Sequence, residues 1–89
     1  MTNVQVLRVA RPTDNLEALL RFYQRGLGLE LLFRFEDHDG FDGVILGREG
    51  APYHLEFTHA RGHVAGRAPT PDNLLVFYLP DPDGWMAAV

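Results

Sequence analysis

The stretch RFYQRGLGLELL, residues 21–32, decides how this chain is read. It joins the end of an amphipathic helix to the start of a strand, with two glycines at the junction. Leading into and through it, Leu16, Leu19, Leu20, Tyr23 and Leu27 follow the i, i+3, i+4, i+7, i+11 spacing of one buried helical stripe. Glu17, Arg21, Gln24 and Arg25 lie off that stripe, and the two arginines suit the negative end of the helix dipole. Asp14 followed by Glu17 has the pattern of a capping box that opens the helix. Gly26 and Gly28 are expected to take the left-handed backbone that stops it.

Working forward, residues 29–36 alternate, with Leu31, Phe33 and Phe35 on one face of a strand and Glu30, Leu32, Arg34 and Glu36 on the other. Residues 37–43 are dense in Asp and Gly and read as a turn; 44–46 read as a short strand and 47–52 as a second turn. Residues 53–58 alternate again, setting Tyr53, Leu55 and Phe57 against His54, Glu56 and Thr58. The short turns predict an antiparallel meander.

Working backward, residues 4–10 predict a strand with Val4, Val6, Arg8 and Ala10 on one face and Gln5, Leu7 and Val9 on the other. Its apolar content predicts cover on both sides, and Pro12 is expected to end it. After the meander, residues 59–72 read as a connector and 73–79, the most apolar run, as a buried strand. Residues 80–83 repeat the proline-and-acid turn of 12–14, and 85–89 open a helix. The class is α+β: one βαβββ module at 1–58, a linker at 59–72, and the truncated start of a second module at 73–89.

The totals exclude several functions. The 89 residues carry a net charge of -4, with 46% hydrophobic and 22% charged residues. Mild acidity gives no electrostatic reason to expect nucleic acid or an anionic membrane as partner. The chain has no cysteine, which removes disulfides and thiolate chemistry, and no serine, which removes a serine-based triad. No run approaches the roughly 18 apolar residues of a membrane span. The first residues lack a signal-peptide pattern, so the cytoplasm is the expected compartment.

Arg8-Val9-Ala10, Asn15-Leu16-Glu17, Arg21-Phe22-Tyr23 and Gly26-Leu27-Gly28-Leu29-Glu30, together with YHLEF at residues 53–57, resemble the glyoxalase/bleomycin-resistance/extradiol-dioxygenase group, the vicinal oxygen chelate superfamily. PTPDNLLVFYLPD, residues 69–81, is similar to the linker and first strand of the second module in some of its members. The resemblance implies two βαβββ modules whose sheets curl around a cavity. Metal-dependent members hold a divalent ion there with His and Glu from the first and fourth strands of each module, and use it as a Lewis acid. Others bind no metal and sequester a ligand between dimer halves.

This sequence departs from the metal pattern. Arg8 stands where the first-strand His is expected, Glu56 matches the fourth-strand Glu, and Leu74 stands at the first ligand position of the second module. A cation site built around a permanently charged guanidinium is physically implausible. Arg8 and Glu56 should share one face of the sheet as an ion pair in place of the metal; alternatively, Arg8 holds a carboxylate or phosphate of a ligand. His54 shares the face of Glu56, whereas His59 and His63 match no strong metal spacing and His38 reads as a solvated loop residue. Tyr78, beside Leu74 and Val76, is expected on a cavity wall, and Arg34 either faces the cavity or lies on a solvated edge.

The expected ligand-binding set is therefore Arg8, Glu56, Tyr78, Arg34 and His54, with no metal or cofactor. The expected function is small-molecule binding, reaction unassigned, in a homodimer with no nucleic-acid or membrane partner. The alternatives are a metal-dependent lyase, isomerase or dioxygenase using Glu56 with a divalent ion, and a non-catalytic interaction module.

Overall fold

Helix α1, Leu16–Arg21, is opened by Asn15, whose side-chain oxygen accepts the Ala18 N–H at 3.0 Å. The expected capping box is corrected here. The Asp14 carboxylate turns away and accepts the N–H groups of Ala65 and Gly66 at 2.6 and 2.8 Å, while Glu17 pairs with Arg34. The computed structural model describes residues 5–78. Within them α1 runs directly into one π turn, Phe22–Gly26. Gly28, at φ +70°, takes the left-handed conformation; Gly26 lies inside the π turn and does not. The N–H of Leu29 reaches the Tyr23 carbonyl at 2.9 Å, and that of Gly28 reaches Gln24 at 3.1 Å. Each bond spans one residue more than in an ordinary glycine-stopped helix end, because the π turn is one residue wider.

Four strands follow the predicted order: β1 Leu7–Pro12, β2 Glu30–His38, β3 Phe41–Gly47 and β4 Tyr53–Ala60. They form one sheet in the order β1-β4-β3-β2, with β1 parallel to β4 and the other pairs antiparallel. The βαβββ module is thus present. The β2–β3 turn is tighter than the expected 37–43, since only Asp39 and Gly40 separate paired His38 and Phe41. Both have positive φ, 53° and 85°, as a type I′ hairpin requires.

The core lies between the helix and one face of the sheet. Leu20, Tyr23 and Leu29 pack there against Val44, Leu46, Leu55 and Phe57, and Tyr23 stacks on Phe57 with ring centres 5.0 Å apart. The helical stripe is as expected, with Leu16, Leu19 and Leu27 at the margin of this cluster.

Strand β2 does not alternate as expected. Leu32 is an extra residue between the pairs Leu31↔Leu46 and Phe33↔Ile45. That bulge leaves Leu31 on the helix side and sends Phe33 and Phe35 to the opposite face. Phe35 lies against Gly43, where an added Cβ would stand 2.1 Å from the ring.

Among the described residues β1 is an edge strand with only Val9 packed against the core, so they do not supply the expected cover on both sides. Pro12 is its last residue, and the ladder passes on through Thr13, whose N–H meets the Thr58 carbonyl at 2.8 Å. Val4 lies outside the described residues. So do residue 79 and the turn and helix start expected at 80–89. The described part of the expected fifth strand, residues 73–78, forms no ladder. Leu75 packs on the core and Phe77 lies 5.9 Å from Tyr23, while Leu74, Val76 and Tyr78 are exposed. Alternation is present in that run, but no strand among the described residues meets its backbone.

Candidate functional site

The face of the sheet away from the helix carries the candidate site. Alternation along β1 puts Arg8 and Ala10 there, and alternation along β4 puts His54, Glu56 and Thr58 there, while Val9, Leu55 and Phe57 point into the core. The register sets Arg8 beside His54 and Ala10 beside Glu56. Arg8 Nη1 stands 3.5 Å from Glu56 Oε1, and Arg8 Nη2 stands 3.5 Å from His54 Nδ1. A guanidinium can only donate, so Nδ1 of His54 is the accepting side of this contact. The Arg8 side chain is 47% exposed and that of Glu56 21%.

Across the sheet the face changes character. Ile45 of β3 pairs with Glu56, and Phe33 of β2 pairs with Ile45. Phe33 is exposed, Phe35 leans on it with ring centres 6.4 Å apart, and Phe41 is exposed on the same face. The site is therefore ionic over β1 and β4, and apolar and aromatic over β3 and β2.

Three of the five residues singled out in the sequence meet at this place: Arg8, His54 and Glu56. Arg34 does not join them. The Leu32 bulge sets it opposite Val44 on the helix side, where it pairs with Glu17 and lies 3.8 Å from Glu36. Tyr78 is also apart. With Leu27, Leu29, Arg48, Tyr53, Leu75 and other residues it lines a cavity of roughly 500 Å³ on the helix side. His59 lies on that side too, with Nδ1 3.0 Å from the Thr13 carbonyl, and His63 is exposed in the connector.

The helix side holds polar pairs that the alternation does not reveal. Asp42 receives Arg61 through Nε and Nη2 at 2.8–3.1 Å, and this holds the Asp42 carboxyl below its usual range. The amides of Ala65 and Gly66 do the same to Asp14. Glu17, through its bond and its charge, raises the Arg34 guanidinium further. Burial pushes the Tyr23 phenol up. These contacts join residues far apart in the chain, and Arg11 adds another by binding the Asn73 side chain at 2.6 Å. Together Asp14 and Arg11 tie the connector to the end of β1.

The metal implied by the resemblance was tested against the donors present. Among the described residues, no group of three or more His, Asp or Glu is placed to hold an ion. Arg8 lies against both Glu56 and His54, while His38, at the far end of the same face beside Phe35 and Phe41, is remote from them. Two unit charges 4 Å apart interact by about 1 kcal/mol in water and about 4 kcal/mol at an effective dielectric of 20. A dication beside Arg8 would meet roughly twice that as repulsion, and would lack the first-strand imidazole. The donor set does not fit the ion.

Known proteins place this geometry. The model of the YycE-like N-terminal domain matches residues 7–58, which include Arg8, His54 and Glu56. The uncharacterized protein YycE of Bacillus subtilis (strain 168) is 48% identical over 75 residues, covering 84% of this chain and 54% of that protein. A crystal structure of a YycE protein of unknown function from Bacillus subtilis, described as a candidate glyoxalase/fosfomycin resistance protein, matches with a TM-score of 0.81. That match is 44% identical and covers 96% of this chain and 62% of the other. The chain thus spans about half the length of the curated relative. With a matching module, sheet and sequence, this chain belongs to the YycE-like N-terminal domain family.

Proposed function

We propose that this chain supplies one half of a small-molecule site of the glyoxalase/fosfomycin-resistance kind, with the ligand held against the sheet face opposite the helix. The observation that carries this is the meeting of Arg8, His54 and Glu56 on a face that no helix of the described residues covers. Such a face, ionic at one side and aromatic at the other, needs a second surface to enclose a ligand. On this reading residues 1–58 are the first module, 59–72 the linker and 73–89 the opening of a second, and the opposing surface comes from further chain or from a second copy in a homodimer. The cytoplasm is the proposed compartment, and the reaction is left unassigned.

A fragment screen followed by amide NMR tests this directly. Shifts clustering on Arg8, His54, Glu56, Ile45 and Phe33 support the site; shifts clustering on Leu27, Tyr53 and Leu75 would move it to the helix-side cavity. Light scattering tests the dimer, and a monomer at high concentration would refute it. A second reading, an interaction module without a ligand, draws on the exposed Leu74, Val76 and Tyr78. It predicts no fragment binding at either place.

A further inference from the structure

We infer that the open face takes an oxyanion through Arg8, and that Glu56 is the resident counter-ion the ligand displaces. The inference rests on the open face being the ligand site and names the class of ligand: a small molecule with a carboxylate or phosphate at one end and an apolar body.

Arg8 has five N–H groups in a planar fork that matches both anions. In this structure two of its nitrogens face Glu56 and His54, both at 3.5 Å. Charge-assisted bonds close to about 2.7–2.9 Å when well made, so both contacts are slack. With its side chain 47% exposed, Arg8 is open to an incoming anion. Glu56 is the less exposed partner, at 21%, and keeps the guanidinium leaning over β4. An oxyanion that engages the fork exchanges one slack contact for two close ones.

The apolar half of the face sets the other end of the ligand. Strands lie about 4.8 Å apart and residues rise about 3.3 Å along them, so Ile45 and Phe33, both level with Ala10, lie roughly 12 Å and roughly 16 Å from the backbone of Arg8. Because Arg8 leans toward β4, an aromatic acid with its carboxylate on Arg8 lays its ring toward Ile45. Phe33 and Phe35 wait beyond for a longer body.

The test titrates the 89-residue chain at low salt with inorganic phosphate and with benzoate, following amide shifts, and titrates it separately with zinc. Both anions are expected to shift Arg8, His54 and Glu56, and benzoate to shift Ile45 as well. Arg8→Ala should weaken both by at least about tenfold, the loss of a charged hydrogen-bonding partner. Glu56→Gln should tighten both by about two- to fivefold, since it removes an exposed ion pair that competes. Arg8→Lys keeps the charge without the fork and should fall between wild type and Arg8→Ala, which keeps the test open should Arg8→Ala fail to fold.

Unchanged anion affinity in a folded Arg8→Ala would overturn the inference. So would one zinc per chain that is lost in Glu56→Ala. If neutral benzamide shifts this face but phosphate and benzoate do not, the anion is refuted and the face remains the ligand site. If none of the probes shifts it, both readings fall.

Discussion

The two faces of one four-stranded sheet differ in almost every physical respect. The helix side holds Val44 and Leu46 without any solvent exposure, under Leu20 and the Tyr23–Phe57 stack. The far side leaves Arg8, Phe33 and Phe41 in water. The first face shows a surface finished by its own chain. The second is a surface that the described residues leave largely uncovered, and it is the face on which we propose a ligand. The difference also shows in the polar contacts: on the helix side Arg61 grips Asp42 at 2.8 Å, whereas on the open side Arg8 holds Glu56 at 3.5 Å.

The sharpest way to break this contrast is a matched pair of truncations. Leu46→Ala should cost about 2–5 kcal/mol in urea unfolding, as fully buried leucines do. Phe33→Ala on the open face should cost under about 1 kcal/mol, as exposed positions do. A comparable loss for both would mean that the open face is already covered in solution, and the loss for Phe33→Ala would then depend on protein concentration.

Gly43→Ala comes next, at about 1–3 kcal/mol, because the new Cβ would overlap the Phe35 ring. Phe35→Leu in the same chain should recover part of that loss; no recovery would show that the strain lies in the backbone. Asn15→Ala should cost about 0.5–2 kcal/mol through loss of the helix cap. Asp14→Ala should instead speed amide exchange at Ala65 and Gly66 while leaving the helix intact.

The acid limb of stability separates the faces again. Asp14 and Asp42 are held below the ordinary carboxylate range by backbone amides and by Arg61, respectively. A depressed carboxyl contributes stability above its unfolded pKa, near 3.9, and loses it as pH falls through the lower folded value. Stability should be level above about pH 5 and fall below about pH 4, and the double variant Asp14→Asn, Asp42→Asn should flatten that fall. The smallest effect is expected for Glu56→Gln, within about 1 kcal/mol, because an exposed ion pair contributes little to folding. A larger loss would make the Arg8–Glu56 pair a structural clasp and not a ligand seat.

Much of this was legible in the residues. The helical stripe from Leu16 to Leu27, the Gly28 stop and the alternation of residues 53–58 each rest on a local rule, and each is found. Arg8, His54 and Glu56 were legible as neighbours because strand alternation needs only a count of two. Arg34 and Tyr78 lie apart from the trio for opposite reasons. One extra residue in β2 reverses the faces from Phe33 to Phe35, until a second irregularity before His38, and the pattern LLF gives no sign of which residue is the extra one. Tyr78 sits on a run with strand character, but a strand exists only where another backbone meets it.

By itself, then, the sequence determined the order of elements, the buried stripe and the ionic trio, because these depend on spacing along the chain and on residue chemistry. Only the tertiary structure decided that Asn15 caps the helix while Asp14 ties down the connector, that the Leu32 bulge hands Arg34 to the helix side, and that no helix of the described residues covers one face of the sheet. Those outcomes turn on which distant groups compete for the same donor or the same strand register, and that competition is settled in space.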